Sequence, residues 1–483
     1  MTTNQAIHDP VSYRVVLLET DQRRLLLHQQ TQGSMLPRVR VPRFSRRAQA
    51  LRTAIHAQCR VAAFVVDYID ENALEPCVVA EFRDTGRNSK LERGGLNEVL
   101  ESELSGQERS TIESLLNGRS GSSITRLGWI DDAAAWVKTA TGCKVQSGAG
   151  IEQFNAGGGF ALLRFRIEDG RESWLKATGD PHTHEFTLTR LLSKLAEGYL
   201  PDLLATKPEW NAWLTACAGS AVETLPTEPH ELLALLEHVV VSMAELQVKT
   251  VGHAGELRSA GAFDQSADVL AKHSQQLFDY AAEAMNMQSS TRVPPIGRTR
   301  LAEIKSIFDD VCGRMAELDL PETIIHGDLN IGNLLLHEGM CRFIDWSEAY
   351  IGNPLISLQH LLLLNQTEPA ELKEQIDRAL VARYRAVIEK VCDRNSLDEA
   401  LLSMPLVAAA SALYGRGDWC AADAGGTSPS YAYARTVVRH MDRAARDPIL
   451  LKMLSARSGF GSNRASGALG LLSPSPDETR GAL

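Results

Sequence analysis

The chain has 483 residues, 44% hydrophobic and 23% charged, with a formal net charge of −10. That length predicts about two to four domains. The composition is that of a globular protein, and the acidic balance argues against wholesale nucleic-acid binding. The eight cysteines form no C-x-x-C and no Cys/His cluster at zinc spacing. Reduced thiols and a cytoplasmic location are expected, with Cys217 and Cys341, both in apolar runs, as core residues. Residues 1–10 lack an apolar signal core, and the longest strongly apolar stretch, 355–364, is too short for a bilayer, so no membrane contact is expected.

In chain order, strands are predicted at 13–18 and 24–28 with a turn at 19–22. A helix follows over 46–58, N-capped by Ser45, then apolar runs at 62–68 and 77–82. Residues 127–139 place Trp129, Ile130, Ala133 and Trp136 at helical spacing, as a packing helix. Between Gln22 and Val66 there are nine arginines and no carboxylate. The rest of the chain therefore carries −19 (−10 minus +9). This segment reads as a surface docking on acidic neighbours or as an anion site.

After a polar joint at 141–150, strands are predicted at 160–166, 173–177, 203–206 and 212–218, with a helix over 184–196. From residue 231 the pattern is helical: 231–247, 267–285 and 301–318. A short β-like island at 324–346 interrupts it, and further helices run to about residue 455. The Ser/Gly/Pro-rich tail reads as disordered.

The strongest chemical signal is His326-Gly327-Asp328-Leu329-Asn330-Ile331-Gly332-Asn333, then three leucines, a turn at Glu338-Gly339, and Phe343-Ile344-Asp345-Trp346. Phosphoryl transfer needs a carboxylate to accept a hydroxyl proton and hard oxygens to hold Mg²⁺ on the phosphates. Asp328 followed five residues later by Asn333, with Asp345 returned across a hairpin, has that form. Asp328 is the expected base, and Asn333 and Asp345 the expected metal ligands. No G-x-x-x-x-G-K-[ST] occurs, so a P-loop is excluded as the phosphate-binding device. His182, His184, His326 and His360 are not spaced as a metal site. His326 is expected to hold the loop's backbone.

This run resembles the aminoglycoside phosphotransferase family, relatives of choline and fructosamine kinases, over roughly residues 145–448. The resemblance implies an α+β, two-lobed protein-kinase-like fold with a small β-rich lobe and a large helical lobe. It implies ATP (or GTP) and Mg²⁺, and a small-molecule hydroxyl acceptor with its pocket near Asp328. Lys176 is the implied phosphate-binding lysine and Glu185 its helix partner. Gly157, Gly158 and Gly159 are the implied loop over the phosphates, and the adenine hinge falls near 216–218. Ser357 stands where the family commonly has Asp, which marks a divergent subfamily. A catalytically silent pseudokinase, acting as a ligand-binding module, is the alternative.

The N-terminal order of strand, Leu36-Pro37, basic segment, helix and strand resembles a Nudix domain. Ala54, Ala57 and Gln58 occupy the places of that family's metal-binding glutamates, so a degenerate, non-hydrolytic relative is implied. The expected organisation is 1–142 Nudix-like, 143–220 small lobe, 221–455 helical lobe and 456–483 tail.

Overall fold

The computed structural model describes residues 10–19, 23–31, 33–42, 46–70, 73–85, 89–318, 320–337, 339–420 and 431–456. Ser45, turn residues 20–22, Glu338 and the tail beyond 456 lie outside the described residues. The chain forms a mixed α+β protein with two compact units. One comprises Met1–Glu223 and Gly332–Ser347, the other Thr224–Ile331 and Glu348–Leu483.

The first unit opens with a β-rich region. Its strands run in the order Gly33–Met35, Arg24–Gln30, Val11–Glu19, Cys77–Thr85, Val61–Ile69; Arg38–Val41 and Glu92–Gly94 join off this path. Val11–Glu19 and Cys77–Thr85 are parallel, with Val15 opposite Val78. Val15 and Leu17 share a core with Ala48, Leu51 and Ile55 of the helix Arg47–Cys59. Val16 and Leu18 share another with Ile112 and Leu115 of the helix Gly106–Leu116. A strand covered on both faces reads as a continuous apolar run, which explains Val-Val-Leu-Leu at 15–18.

Several arginines of the basic segment find partners within this unit. Arg38 pairs with Glu75 and Glu103 at 3.1 and 3.0 Å. Arg52 lies 4.1 Å over the Phe64 ring and donates to the Ala63 carbonyl. Burial pushes its guanidinium down to about 10. Arg46 and Arg47 stack over Phe154 and Tyr68.

A second sheet is antiparallel, in the order Leu203–Lys207, Ala212–Ala216, Glu172–Thr178, Phe160–Arg166, Ile151–Asn155. Leu163, Phe165, Leu175, Ala177 and Leu214 point into a core shared with the helix Trp129–Thr141. Trp129 and Trp136 meet Trp210 edge-on at 5.9 and 6.0 Å. Alternation along Glu172–Thr178 therefore puts Lys176 on the opposite face. The hairpin Leu334–His337 and Met340–Phe343 also belongs to this unit, joined by the short strand Ser220–Ala221.

The second unit is mainly helical. Its long helices are Pro229–Thr250, Arg298–Glu317, Ala370–Ile388 and Arg394–Gly415. A small sheet joins Phe263–Asp264, Tyr350–Gly352 and Thr323–Ile325. The helix expected over 267–285 is in fact two, Ala267–Lys272 and Ser274–Asn286. They break at His273, whose φ of −100° and ψ of 5° leave the helical region. Cys217, expected in the core, is exposed just after a strand end, whereas Cys341 is buried in the hairpin. Among the described residues, Arg394–Gly415 is long and apolar enough to cross a membrane. Of its apolar window 56% is buried inside the fold, including Leu397, Met404 and Leu406.

Candidate active site

The hairpin at 334–343 is in register Leu334 opposite Phe343 and Leu336 opposite Cys341. Buried Leu334, Cys341 and Phe343 hold it down. Its open end brings residues 333 and 344 together, where the Ile344 N–H donates to the Asn333 carbonyl at 3.1 Å. Asp345 follows in the left-handed region, at φ 67°. A non-glycine residue is held there only by its surroundings.

Those surroundings are specific. Lys176 Nζ donates to Glu185 Oε1 at 2.7 Å and to Asp345 Oδ1 at 3.0 Å. Ser347 Oγ also donates to Asp345 Oδ1, at 2.9 Å. Glu185 Oε1 accepts from the Trp346 N–H at 3.2 Å, and His184 Nε2 lies 2.8 Å from the Ser347 carbonyl. The first turn of the helix His184–Leu195 thus grips the turn that carries Asp345. The side chains of Lys176, Glu185 and Asp345 are 15%, 1% and 41% exposed.

Burial pushes the Glu185 carboxyl up, against the attraction of Lys176. Burial alone would lower Lys176, but Glu185 and Asp345 outweigh it and hold the ammonium above its ordinary value. The result is a fixed positive charge beside a half-exposed carboxylate, suited to phosphate and a cation.

The glycine residues 157–159 connect Ile151–Asn155 to Phe160–Arg166. They lie at the end of the sheet where Thr178 pairs with Phe160, and the Phe160 ring stands 5.7 Å from Lys176 Nζ. The Gly179 N–H donates to the Gly159 carbonyl at 2.8 Å, and a Cβ on Gly179 would fall 1.9 Å from the Gly158 carbonyl oxygen. Only glycine allows that approach.

Asp328 lies in the second unit. The buried strand Thr323–Ile325 leads to fully buried His326, then to exposed Asp328, then to buried Leu329. Asn330 Nδ2 donates to Asp328 Oδ2 at 2.9 Å, and the Asn330 N–H to the Asp328 carbonyl at 3.0 Å. Gly327 has φ 83°, and a Cβ there would stand 2.0 Å from the Glu348 carbonyl oxygen. Gly327→Ala is expected to cost at least about 2 kcal/mol from backbone strain and this clash, read as a lowered denaturation midpoint.

Behind the loop is a buried polar network. Gln247 Nε2 donates to the carbonyls of Ile324 and Pro354 and to Ser357 Oγ, at 3.3, 3.2 and 3.0 Å. Tyr384 Oη donates to Gln247 Oε1 at 2.6 Å. Ser357 is thus a buried neutral acceptor, where a carboxylate would need a cation that this network lacks.

Half-buried His360 is pushed down to about 4, by burial first and then by His326, against the pull of Asp328. The unfolded imidazole takes up its proton near 6.5, so stability falls as pH drops from there towards 4. His360→Gln is expected to remove on the order of 3 kcal/mol of that acid slope, measured by urea unfolding across this range.

The structure therefore gathers Lys176, Glu185 and Asp345, brings Asn333 next to residue 344, and seats the glycine turn against the end of the lysine strand. Sequence reasoning missed His184, Ser347, Gln247 and Tyr384. The bonds joining His184 to Ser347, and Gln247 to Ser357 and Tyr384, link residues distant in sequence, and only the glycine and aspartate motifs marked the region. Among the described residues, no group of three or more His, Cys, Asp and Glu side chains could hold a metal. A cation here would draw its remaining ligands from phosphate and water, as Mg²⁺ commonly does.

Residues 184–390 match the phosphotransferase enzyme family, APH. The matched segment contains Glu185, Asp328, Asn333 and Asp345, while Lys176 and the glycine turn precede it. Among solved structures, the chain is similar to a choline/ethanolamine kinase family protein of Mesorhizobium loti, with 16% identity, 68% of this chain and 98% of that one covered, and a TM-score of 0.43. It is also similar to a macrolide 2'-phosphotransferase of Brachybacterium faecium, with 16% identity, 66% and 97% covered, and a TM-score of 0.38. An ethanolamine kinase of Plasmodium vivax is similar at 12% identity, with 72% and 97% covered and a TM-score of 0.44. No curated protein matches the chain. The APH match leaves the N-terminal β-rich region outside it and gives no support to the Nudix resemblance.

Proposed function

We propose that this protein is a small-molecule kinase that moves the γ-phosphate of ATP or GTP to a hydroxyl group. The observation that carries the reading is the Lys176–Glu185–Asp345 cluster, in a chain whose APH segment includes Asp328 and Asn333. Lys176 neutralises phosphate oxygens, and Glu185 fixes where that charge sits. The glycine turn offers backbone N–H groups to the phosphates. Asn333 and Asp345 would hold Mg²⁺, which supplies charge neutralisation on the nucleotide.

Asp328 accepts the acceptor's hydroxyl proton as the new O–P bond forms. The bond from the γ-phosphorus to the bridging oxygen breaks, leaving a phosphate monoester and a nucleoside diphosphate. The exposure of Asp328, whose Oδ2 accepts from Asn330 Nδ2, suits an acceptor that approaches from solvent. Amino-alcohols, sugars, macrolides and aminoglycosides are all compatible acceptors.

The test is Mg²⁺-dependent ATP and GTP consumption across a panel of these hydroxyl compounds. Consumption that depends on one acceptor class supports the proposal. Tight Mg-nucleotide binding with no acceptor-dependent turnover across the panel favours a silent binding module, and no nucleotide binding at all contradicts both.

A further inference from the structure

The strand leading into the glycine turn is fastened to the N-terminal sheet. Gln153, 1% exposed, receives a hydrogen bond from the Val65 N–H at 2.9 Å and donates to the Val65 carbonyl at 2.7 Å. Both bonds fall where the strand Val61–Ile69 slips register against its other neighbour, between Val65 and Asp67. One side-chain amide thus stands in for a pair of ladder bonds to the Val65 backbone.

The next contacts are with the turn itself. Ala156 packs against the N-terminal core together with Tyr68. Gly157 has φ 110°, and a Cβ there would lie 3.2 Å from Tyr68 Cδ2 and 3.6 Å from Asp67 Oδ1. The Tyr68 ring is backed by the Arg47 guanidinium, 5.5 Å from its centroid. Beyond the turn, a cleft of about 550 Å³, lined by Asp67, Ser122, Gly158, Gly159, Asp180 and Asn211 among others, leaves room for displacement. The fixed points of the turn are therefore Gly179 on the lysine strand and Tyr68 with Gln153–Val65 on the N-terminal side.

We infer that Tyr68 and Gln153 are positioning residues for the phosphate-binding turn, so that the N-terminal domain sets the nucleotide affinity of the kinase. The inference rests on the kinase reading above. A turn released from Tyr68 samples more conformations, and ordering it again on binding weakens the nucleotide. The effect is assigned to the aromatic ring, whose edge atoms Cδ2 and Cε2 are those a Cβ at Gly157 would meet first.

The experiment uses the full chain and Mg-ADP as the probe, with titration calorimetry and hydrogen exchange of the 156–160 peptide. Tyr68→Ala and Gln153→Leu are expected to weaken Mg-ADP binding about five- to tenfold and to speed exchange in that peptide. Tyr68→Phe is expected to retain wild-type affinity. Ile112→Ala, in the core on the other face of the N-terminal sheet, is expected to lower Tm without changing affinity. Wild-type affinity in folded Tyr68→Ala and Gln153→Leu overturns the inference alone. So does an equal loss in Tyr68→Phe or Ile112→Ala. A wild-type chain that binds no Mg-nucleotide overturns the kinase reading, and this inference with it.

Discussion

Asp328→Asn is expected to lower kcat by about 10²–10⁴-fold while leaving the Kd for Mg-nucleotide within about twofold. The proposed role of Asp328 is to take a proton, and an amide cannot. The substitution is nearly isosteric, and its carbonyl oxygen can still accept from Asn330 Nδ2, as Asp328 does at 2.9 Å. The loop is also supported by Gly327 against Glu348 and by buried His326 and Leu329. Stability should therefore change little, and single-turnover kinetics at saturating nucleotide will isolate the chemical step. Equal loss of nucleotide affinity would instead assign Asp328 to binding. Unchanged kcat would remove it from the chemistry.

Lys176→Met is expected to reduce kcat/KM for the nucleotide by about 10²–10³-fold. It should also destabilise the fold by about 3–5 kcal/mol, because it leaves Glu185 buried without its cation. The two effects separate by pH and by a second substitution. Burial already raises the Glu185 carboxyl, and losing Lys176 raises it further. An acid whose folded pKa exceeds its unfolded one stabilises the fold at low pH. It loses that contribution as pH rises through the range between the two. Lys176→Met should therefore be most stable in acid and weaken as pH rises above the ordinary carboxylate range. Lys176→Met/Glu185→Gln should recover most of the stability, measured by thermal unfolding, and none of the activity. Recovery of activity in the double variant would mean that the lysine's charge is not used on phosphate.

The parts of the fold legible in the sequence are those written in adjacent residues. Alternation gave the strands near 160–166 and 173–177, and the leucines after Asn333 with the turn at Gly339 gave the hairpin that returns Asp345 to residue 333. The edge strand Ile151–Asn155 was not legible. Glu152, Gln153 and Asn155 are polar and give no apolar alternation, and Gln153 is buried where the backbone of Val65, distant in sequence, accepts from it and donates to it. The break at His273 was hidden because the apolar spacing continues through it. Cys217 reads as core from its neighbours, yet it follows the last paired residue of its strand and turns outward.

The same contrast holds at the site. Asp328, Asn333 and Asp345 fall within one short motif, so their spacing could be read directly. Lys176 and Glu185 needed the family resemblance, since one lysine in a strand and one glutamate at a helix start are common. The grip of His184 on Ser347, and the network of Gln247, Ser357 and Tyr384, join residues more than a hundred positions apart. The arginine segment was legible as a charge excess docking on acidic neighbours, but its aromatic partners were not legible. Arg38 went to carboxylates, whereas Arg46, Arg47 and Arg52 went to aromatic rings.

The most direct measurement is phosphorus NMR of the wild-type chain and Asp328→Asn, each incubated with Mg-ATP or Mg-GTP and the acceptor panel. The expected result is a phosphate monoester signal on one acceptor class, growing in step with nucleoside diphosphate, in the wild type alone. Nucleoside diphosphate matched only by inorganic phosphate, or a monoester formed equally by Asp328→Asn, would contradict it.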